Sequence, residues 1–210
     1  MKIIKIVSDK FNTNNYLIVS GEDAVLIDGS AFVKEIEDNL KLCKPRPKLR
    51  AVILTHEHFD HINELDNILD KFDIFAYIHE NGKKSLYSED ENMSIMDNPF
   101  KIKNKKNVKT FKDGEELTFG EIEVKCYHTP GHSLGSSCFV VNDNMFTGDT
   151  VFKIDVGRTD LFGGDSRVLS ISLEKIKNLM SFADNYYAGH GANFDKEDLE
   201  YNLEHYFGEK

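Results

Sequence analysis

A chain of 210 residues with a formal net charge of −10 at pH 7 has room for one sizeable core, and its acidic balance works against phosphate backbones, so nucleic acid is not an expected partner. Hydrophobic residues make up 40% and charged residues 30%, the balance of a soluble globular protein, and no apolar run approaches the length that crosses a bilayer. Cys43, Cys126 and Cys138 form no CxxC pair, so they imply neither a disulfide framework nor an oxidising compartment; with no secretory apolar region near the N-terminus, a cytoplasmic location is expected.

The chain opens with "KIIKIV", "NYLIVS" and "DAVLIDG", short β-branched runs bounded by polar residues or glycine, which predict strands. Residues 31–42, "AFVKEIEDNLKL", carry apolar side chains at 32, 33, 36 and 40, a helical spacing that "CKPRPK" ends because proline cannot continue it. "RAVILT" is almost continuously apolar and predicts a strand covered on both faces. "HINELDNILDKF" places Ile62, Leu65, Ile68 and Leu69 on one helical face, and "IFAYIH" is the next strand.

Residues 80–107 are polar and weakly patterned, a long loop or short helical excursion of the kind that shapes binding pockets. The lysine run at 101–109, "KIKNKKNVK", is broken by asparagine and reads as a solvated loop. Strands return with "VKTF", "ELTFG", "EIEVKCYHT", "SSCFVVND" and "NMFTGD". A helix from about 166 to 182 follows, with Leu169, Leu173, Ile176 and Met180 on its core side and Asp165 or Ser166 as its cap. "NYYAGH" is the last strand, and a helix over about 195–207 closes the chain. This order predicts an α/β fold, one domain spanning 1–210, in which two sheets pack together with helices outside and divide near residue 108.

The chemistry concentrates where strands end. "AVIL" runs into "THEHFDH" (55–61), "VKCYHT" into "PGHS" with His132, "NMFTG" into Asp149, and "NYYAG" into His190. The carboxyl edge of an open α/β sheet is where sites form, and Gly131, Gly148 and Gly189 permit tight turns there. In extended chain, residues i and i+2 point the same way, so His56 and His58 can grip one ion, which His132 can complete. Asp60 and His61 fall where the chain turns into a helix and can face a second ion with His190, while the two oxygens of Asp149 can bridge both. Imidazole-rich ligation favours zinc first, with iron or manganese as alternatives. His79, His128 and His205 read as structural or solvated.

These motifs, with "NNYLI" and "VLIDGS" upstream, resemble the metallo-β-lactamase superfamily from about residue 14 to 191. The closer resemblance is to short glyoxalase II-like hydrolases, through "VGRTDLFGGD" at 156–165 and "NMS" at 92–94. The resemblance implies a four-layer αβ/βα sandwich with two divalent ions at one edge. His56, His58 and His132 would hold one ion, Asp60, His61 and His190 the other, and Asp149 would bridge them. Asp28 would lie behind the ligand loop. The implied reaction is hydrolysis of a thioester or related acyl bond of a small molecule by a bridging hydroxide, oriented or deprotonated by Asp60. A thiolate with a pKa of about 8.5 leaves without a dedicated acid.

The chain departs from the pattern at three places. The helical segment with which full-length glyoxalase II enzymes bind glutathione has no counterpart after His190, which points away from glutathione thioesters. "ANFD" after "GHG" lacks a common threonine, and Phe162 stands where proline is common. The rival readings are a mononuclear iron persulfide dioxygenase using His56, His132 and Asp149, a lactonase, and a non-catalytic metal-binding protein. Arg158 is either a hook for a substrate carboxylate or the partner of an internal aspartate. A monomer or small homo-oligomer that binds neither nucleic acid nor membrane is expected.

Overall fold

The structure is a computed structural model and describes residues 1–208. Strands β1 (Lys2–Val7), β2 (Asn14–Ser20) and β3 (Asp23–Ile27) form an antiparallel meander. Helix α1 (Val33–Leu42) then crosses to β4 (Lys48–Ile53). The short helix α2 (Phe59–Ile62) and α3 (Leu65–Phe72) lead to β5 (Phe75–His79), and β6 (Val108–Phe111) completes a six-stranded sheet in chain order, parallel from β3 onward. The second sheet contains β7 (Glu116–Phe119), β8 (Ile122–His128), β9 (Ser137–Val141) and β10 (Asn144–Gly148). After helix α4 (Ser166–Leu179) come β11 (Asn185–Ala188), β12 (Phe194–Asp195) and helix α5 (Lys196–Gly208). Its order is β12-β11-β10-β9-β8-β7, with β10 and β11 the parallel pair.

Three apolar cores make this the expected α/β four-layer sandwich. Because successive strand residues face opposite ways, β2 sends Leu17 and Val19 toward Ile36, Leu65 and Ile68 of the outer helices, while Tyr16 and Ile18 join Ile53, Phe139 and Phe146 between the sheets. On the far side, Met145 and Tyr186 meet Leu169, Leu173 and Ile176 of α4 and Leu199 and Leu203 of α5. Asp165 caps α4, its Oδ1 accepting from the amides of Arg167 (2.8 Å) and Val168 (3.1 Å).

The structure differs from the sequence reading in four places. The helix expected over 61–72 is broken after Ile62, because the turn following β3 splices into it: Gly29 donates to the His61 carbonyl at 2.7 Å and Glu64 donates to the Gly29 carbonyl at 3.0 Å. The sheets divide after Phe111, not near 108, since β6 pairs with β5. The helix starting at Ser166 stays α-helical to Leu179 and ends in a 3-10 turn, Met180–Phe182. The two-residue strand β12 is too short to carry a pattern. The 80–107 segment is the expected long loop with short helical excursions, three 3-10 turns, and it is anchored: Leu86 and Ile102 enter the first core, and the Asn92 carbonyl accepts from Phe59 N at 2.9 Å. Among the described residues the cysteines are buried and unpaired, and no helix is long and apolar enough to cross a membrane.

Candidate metal centre

The carboxyl ends of β4, β8, β10 and β11 converge on one point. Candidate donor atoms fall into three overlapping groups: His56, His58 and His132; His56, His61 and Asp149; and Asp60, His61 and His190. Within each group they lie no more than 4.8 Å apart. All seven residues singled out by spacing are therefore brought together. Asp149 touches both ends of the cluster, with Oδ1 3.4 Å from His61 Nε2 and Oδ2 3.8 Å from His132 Nε2 and 3.5 Å from His190 Nε2. His190 Nε2 lies 3.1 Å from Asp60 Oδ2 and 3.3 Å from His61 Nε2. Gly189 keeps this corner open, because a Cβ there would run into Asp149 Oδ1 and His61.

The donor set fits bound metal. Among the described residues, Nε2 of His56, His58 and His132 and Oδ1 of Asp149 are buried without a hydrogen-bond partner. Burying one such group unpaired costs about 1–3 kcal/mol, so several at one point call for an absent ligand. The opposite ring nitrogens are tied outward. His61 Nδ1 donates to Asp28 Oδ2 at 2.8 Å, His132 Nδ1 to the Arg158 carbonyl at 2.9 Å, and His190 Nδ1 to the Asn12 carbonyl at 3.2 Å. His56 Nδ1 lies 3.1 Å from Thr55 Oγ1, which donates to Asp28 Oδ2 at 2.9 Å. A proton fixed on Nδ1 leaves the Nε2 lone pair for an ion. Asp28 is buried at φ +66° and also accepts from Thr55 N at 2.8 Å, so one carboxylate orients two imidazoles.

A family model described as "Metallo-beta-lactamase superfamily" matches residues 8–186. The chain belongs to that superfamily. It is 33% identical over 185 residues to the "Probable metallo-hydrolase YqgX" of Bacillus subtilis (strain 168), a match covering 87% of this chain and 86% of the relative. Among solved structures it is similar to the BLEG-1 B3 metallo-beta-lactamase, with a TM-score of 0.83 and 28% identity over 94% of this chain and 95% of the other. It is also similar to TTHA1623 in a di-iron-bound form, with a TM-score of 0.78 and 26% identity over 96% of each chain.

Within this superfamily cluster the imidazoles divide electrostatically. Burial, reinforced by neighbouring imidazoles, lowers His56, and burial lowers His132. His58 is pushed down to about 3, also chiefly by burial. For His61 burial opposes the proton, but Asp28, Asp60 and Asp149 outweigh it and hold the ring well above 6.5; His190 is raised by Asp60 and Asp149 against burial. In metal-free protein the last two must shed a proton before Nε2 can take an ion. Their contribution to metal-free stability is complete below 6.5 and is lost as pH rises through the raised values. An ion held by the Asp60–His61–His190 group would therefore bind more tightly as pH rises over that same window. On a two-ion reading, zinc titration calorimetry at about pH 6 and about pH 8, in buffers of different ionisation heat, should show one event that releases more protons than the other, with the difference larger at the lower pH. Equal proton release in both events would contradict this division.

Arg158 has its carboxylate within the chain: Nε and Nη2 donate to Asp160 Oδ1 and Oδ2, each at 2.7 Å, and the side chain also lines the cavity over the cluster. His79 and His128 lie outside the three donor groups and stack on each other, ring centroids 3.5 Å apart, and His205 is an exposed helix residue.

Glu57 is the residue that sequence reasoning missed. It is 0% exposed, and its Oε2 accepts from Ser133 Oγ and Gly135 N, both at 3.1 Å, tying the loop that carries His132 to the strand end that carries His56 and His58. Burial raises its carboxyl above the ordinary value. Gly82 and Gly135 pack around it: a Cβ on either would lie 2.7 or 2.5 Å from Glu57 Oε2. A signal existed, since residue i+1 between two histidines facing a site must face away from it, into the interior.

Proposed function

We propose that this chain is a metallo-hydrolase that cleaves a thioester or related acyl bond in a small molecule, of the glyoxalase II-like type, with two divalent ions, zinc first. The observation that carries this reading is the set of orphaned buried nitrogens and the Asp149 oxygen at the meeting point of three donor groups. The probable metallo-hydrolase of Bacillus subtilis supports the hydrolase class, and the di-iron neighbour keeps iron as the alternative metal. His56, His58 and His132 would hold one ion, Asp60, His61 and His190 the other, with Asp149 shared. Bound there, such ions supply an acidified water and an electrophile for a carbonyl oxygen.

The chain's own groups do the rest. In metal-free protein burial works against the charge on Asp60, but His61 and His190 hold its carboxyl below the ordinary value; as a carboxylate it would orient the water or take its proton. Its side chain is 18% exposed, and its Oδ2 lies 3.5 Å from the hydroxyl of the buried Thr13 and 3.1 Å from His190 Nε2. In the proposed reaction the water oxygen bonds to the carbonyl carbon, the C–S bond breaks, and the thiolate leaves with the electron pair. The water proton passes to Asp60. No acid is needed for a thiolate whose pKa is about 8.5.

The test is elemental analysis of protein purified without chelator, followed by a thioester panel. About two equivalents of zinc, or of zinc with iron, together with thioester turnover, is the expected result. About one equivalent of iron with oxygen uptake on a persulfide would establish the dioxygenase instead, and cleavage of lactones alone the lactonase.

A further inference from the structure

Over the donor cluster lies a cavity of about 450 Å³. Its floor is His58, Asp60, His132, Asp149 and His190; its wall is Phe11, Phe59, Met93, Met96 and Leu161. None of these five apolar side chains belongs to the three buried cores, so packing does not account for them. Phe11 and Phe59 make an edge-to-face pair with centroids 5.0 Å apart. Met96 is 65% exposed. Met93 sits at φ +65°, uncommon for a long side chain, and the turn that holds it is fixed by Ser94 N donating to Asn92 Oδ1 at 2.8 Å. The charged side chains of the wall are each already opposed: Arg158 by Asp160 at 2.7 Å, and Asp97 by Lys10 at 2.5 Å. An apolar wall above a polar floor, with its wall charges cancelled, fits a substrate whose reacting carbonyl sits low and whose arm is uncharged.

We propose that this cavity binds an apolar, uncharged acyl arm, and that Met93 and Met96, flexible enough to fold over chains of differing length, set the specificity of the hydrolase. This rests on the acyl-bond reading above for the chemistry but not for the binding. Each methylene buried against such a wall is worth about 0.8 kcal/mol, or roughly fourfold in affinity at full burial. Methionine suits an irregular, adaptable surface.

The experiment titrates zinc-loaded protein carrying 13C-methyl methionine with S-hexyl-N-acetylcysteamine, a thioether that cannot be hydrolysed, followed by NMR. The Met93 and Met96 methyl signals, identified with Met93→Leu and Met96→Ser, should shift and saturate. The S-methyl analogue should bind at least about tenfold more weakly, and S-(5-carboxypentyl)-N-acetylcysteamine, which carries a charge at the end of the same arm, should also bind more weakly. In parallel, kcat/KM for a hexanoyl over an acetyl thioester should be at least about ten, and Met96→Ser should lower that ratio mainly through KM. Methyl signals that do not move, equal binding of hexyl and methyl probes, or a clear preference for the carboxylate-ended arm would each overturn the proposal, whatever is hydrolysed. Chain-length-dependent binding with no thioester turnover would leave the apolar arm standing and remove the thioesterase reading.

Discussion

Asp149→Ala is expected to lose turnover and bound metal together. The side chain is 11% exposed at the centre of the cluster, within 3.8 Å of imidazole nitrogens from both the His58–His132 side and the Asp60–His190 side. Burial disfavours its charge, yet His61, His190 and His132 hold the carboxyl well below the ordinary carboxylate range, so it arrives at the cluster ionised. Alanine removes the one negative group shared by both sides and leaves those imidazoles facing each other. Affinity for the second ion should fall at least about a hundredfold, and kcat/KM more than about a thousandfold. The fold should persist, because β10 is anchored by Met145 and Phe146 in two different cores. Elemental analysis and a circular dichroism melt on one preparation separate these effects. Full turnover in this variant would remove Asp149 from the shared position.

Asp28→Asn should leave a folded protein that loads the cluster poorly. Asparagine tolerates the left-handed backbone at φ +66° as well as aspartate does, and its oxygen can still accept from Thr55 N. Its NH2, however, would face His61 Nδ1, now met at 2.8 Å by a carboxylate oxygen. Two donors cannot share that contact, so His61 must move its proton to Nε2, the atom that faces the cluster. The ring then presents N–H where a lone pair is required. The expected loss is about 10–100-fold in affinity at the Asp60–His61–His190 group, with a smaller effect at His56 through Thr55. Asp28→Glu should not restore it, because the longer arm displaces the Thr55 contacts. A variant that unfolds, or that loads metal like the unchanged protein, would show that Asp28 serves packing alone.

The donors and the layer order were legible because each is a local pattern. Alternating or continuous apolar runs marked the strands, and seven nitrogen and oxygen donors stood directly after four of them. The break after Ile62 was not legible, because it depends on Gly29, thirty-odd positions earlier, reaching into the helix. Nor was the boundary between sheets: β6 reads like any short strand, and only its pairing with β5 assigns it. What holds the segment 80–107 was not legible, because its anchors are single residues, Leu86, Asn92 and Ile102, with no period between them. Arg158 was left between two roles by its sequence, and Asp160 supplies one of the two partners.

Glu57, Gly82 and Gly135 also constrain how this chain can change over generations. The two glycines approach so closely that a Cβ on Gly82 would lie 2.9 Å from the Gly135 Cα, and one on Gly135 would lie 2.7 Å from the Gly82 Cα. A side chain at either position meets both the carboxylate and the opposite backbone. Shortening residue 57 first removes only one of those obstacles, strands the Gly135 amide and leaves the Ser133 hydroxyl with Ser136 alone. Effects at the three sites should therefore not add, and no single step leads to a different solution. A lineage that begins with a buried acid here is held to two bare backbone positions, in the loop after β5 and in the loop that carries His132. The order in which substitutions arrive, and not only their sum, decides which descendants can still assemble the cluster.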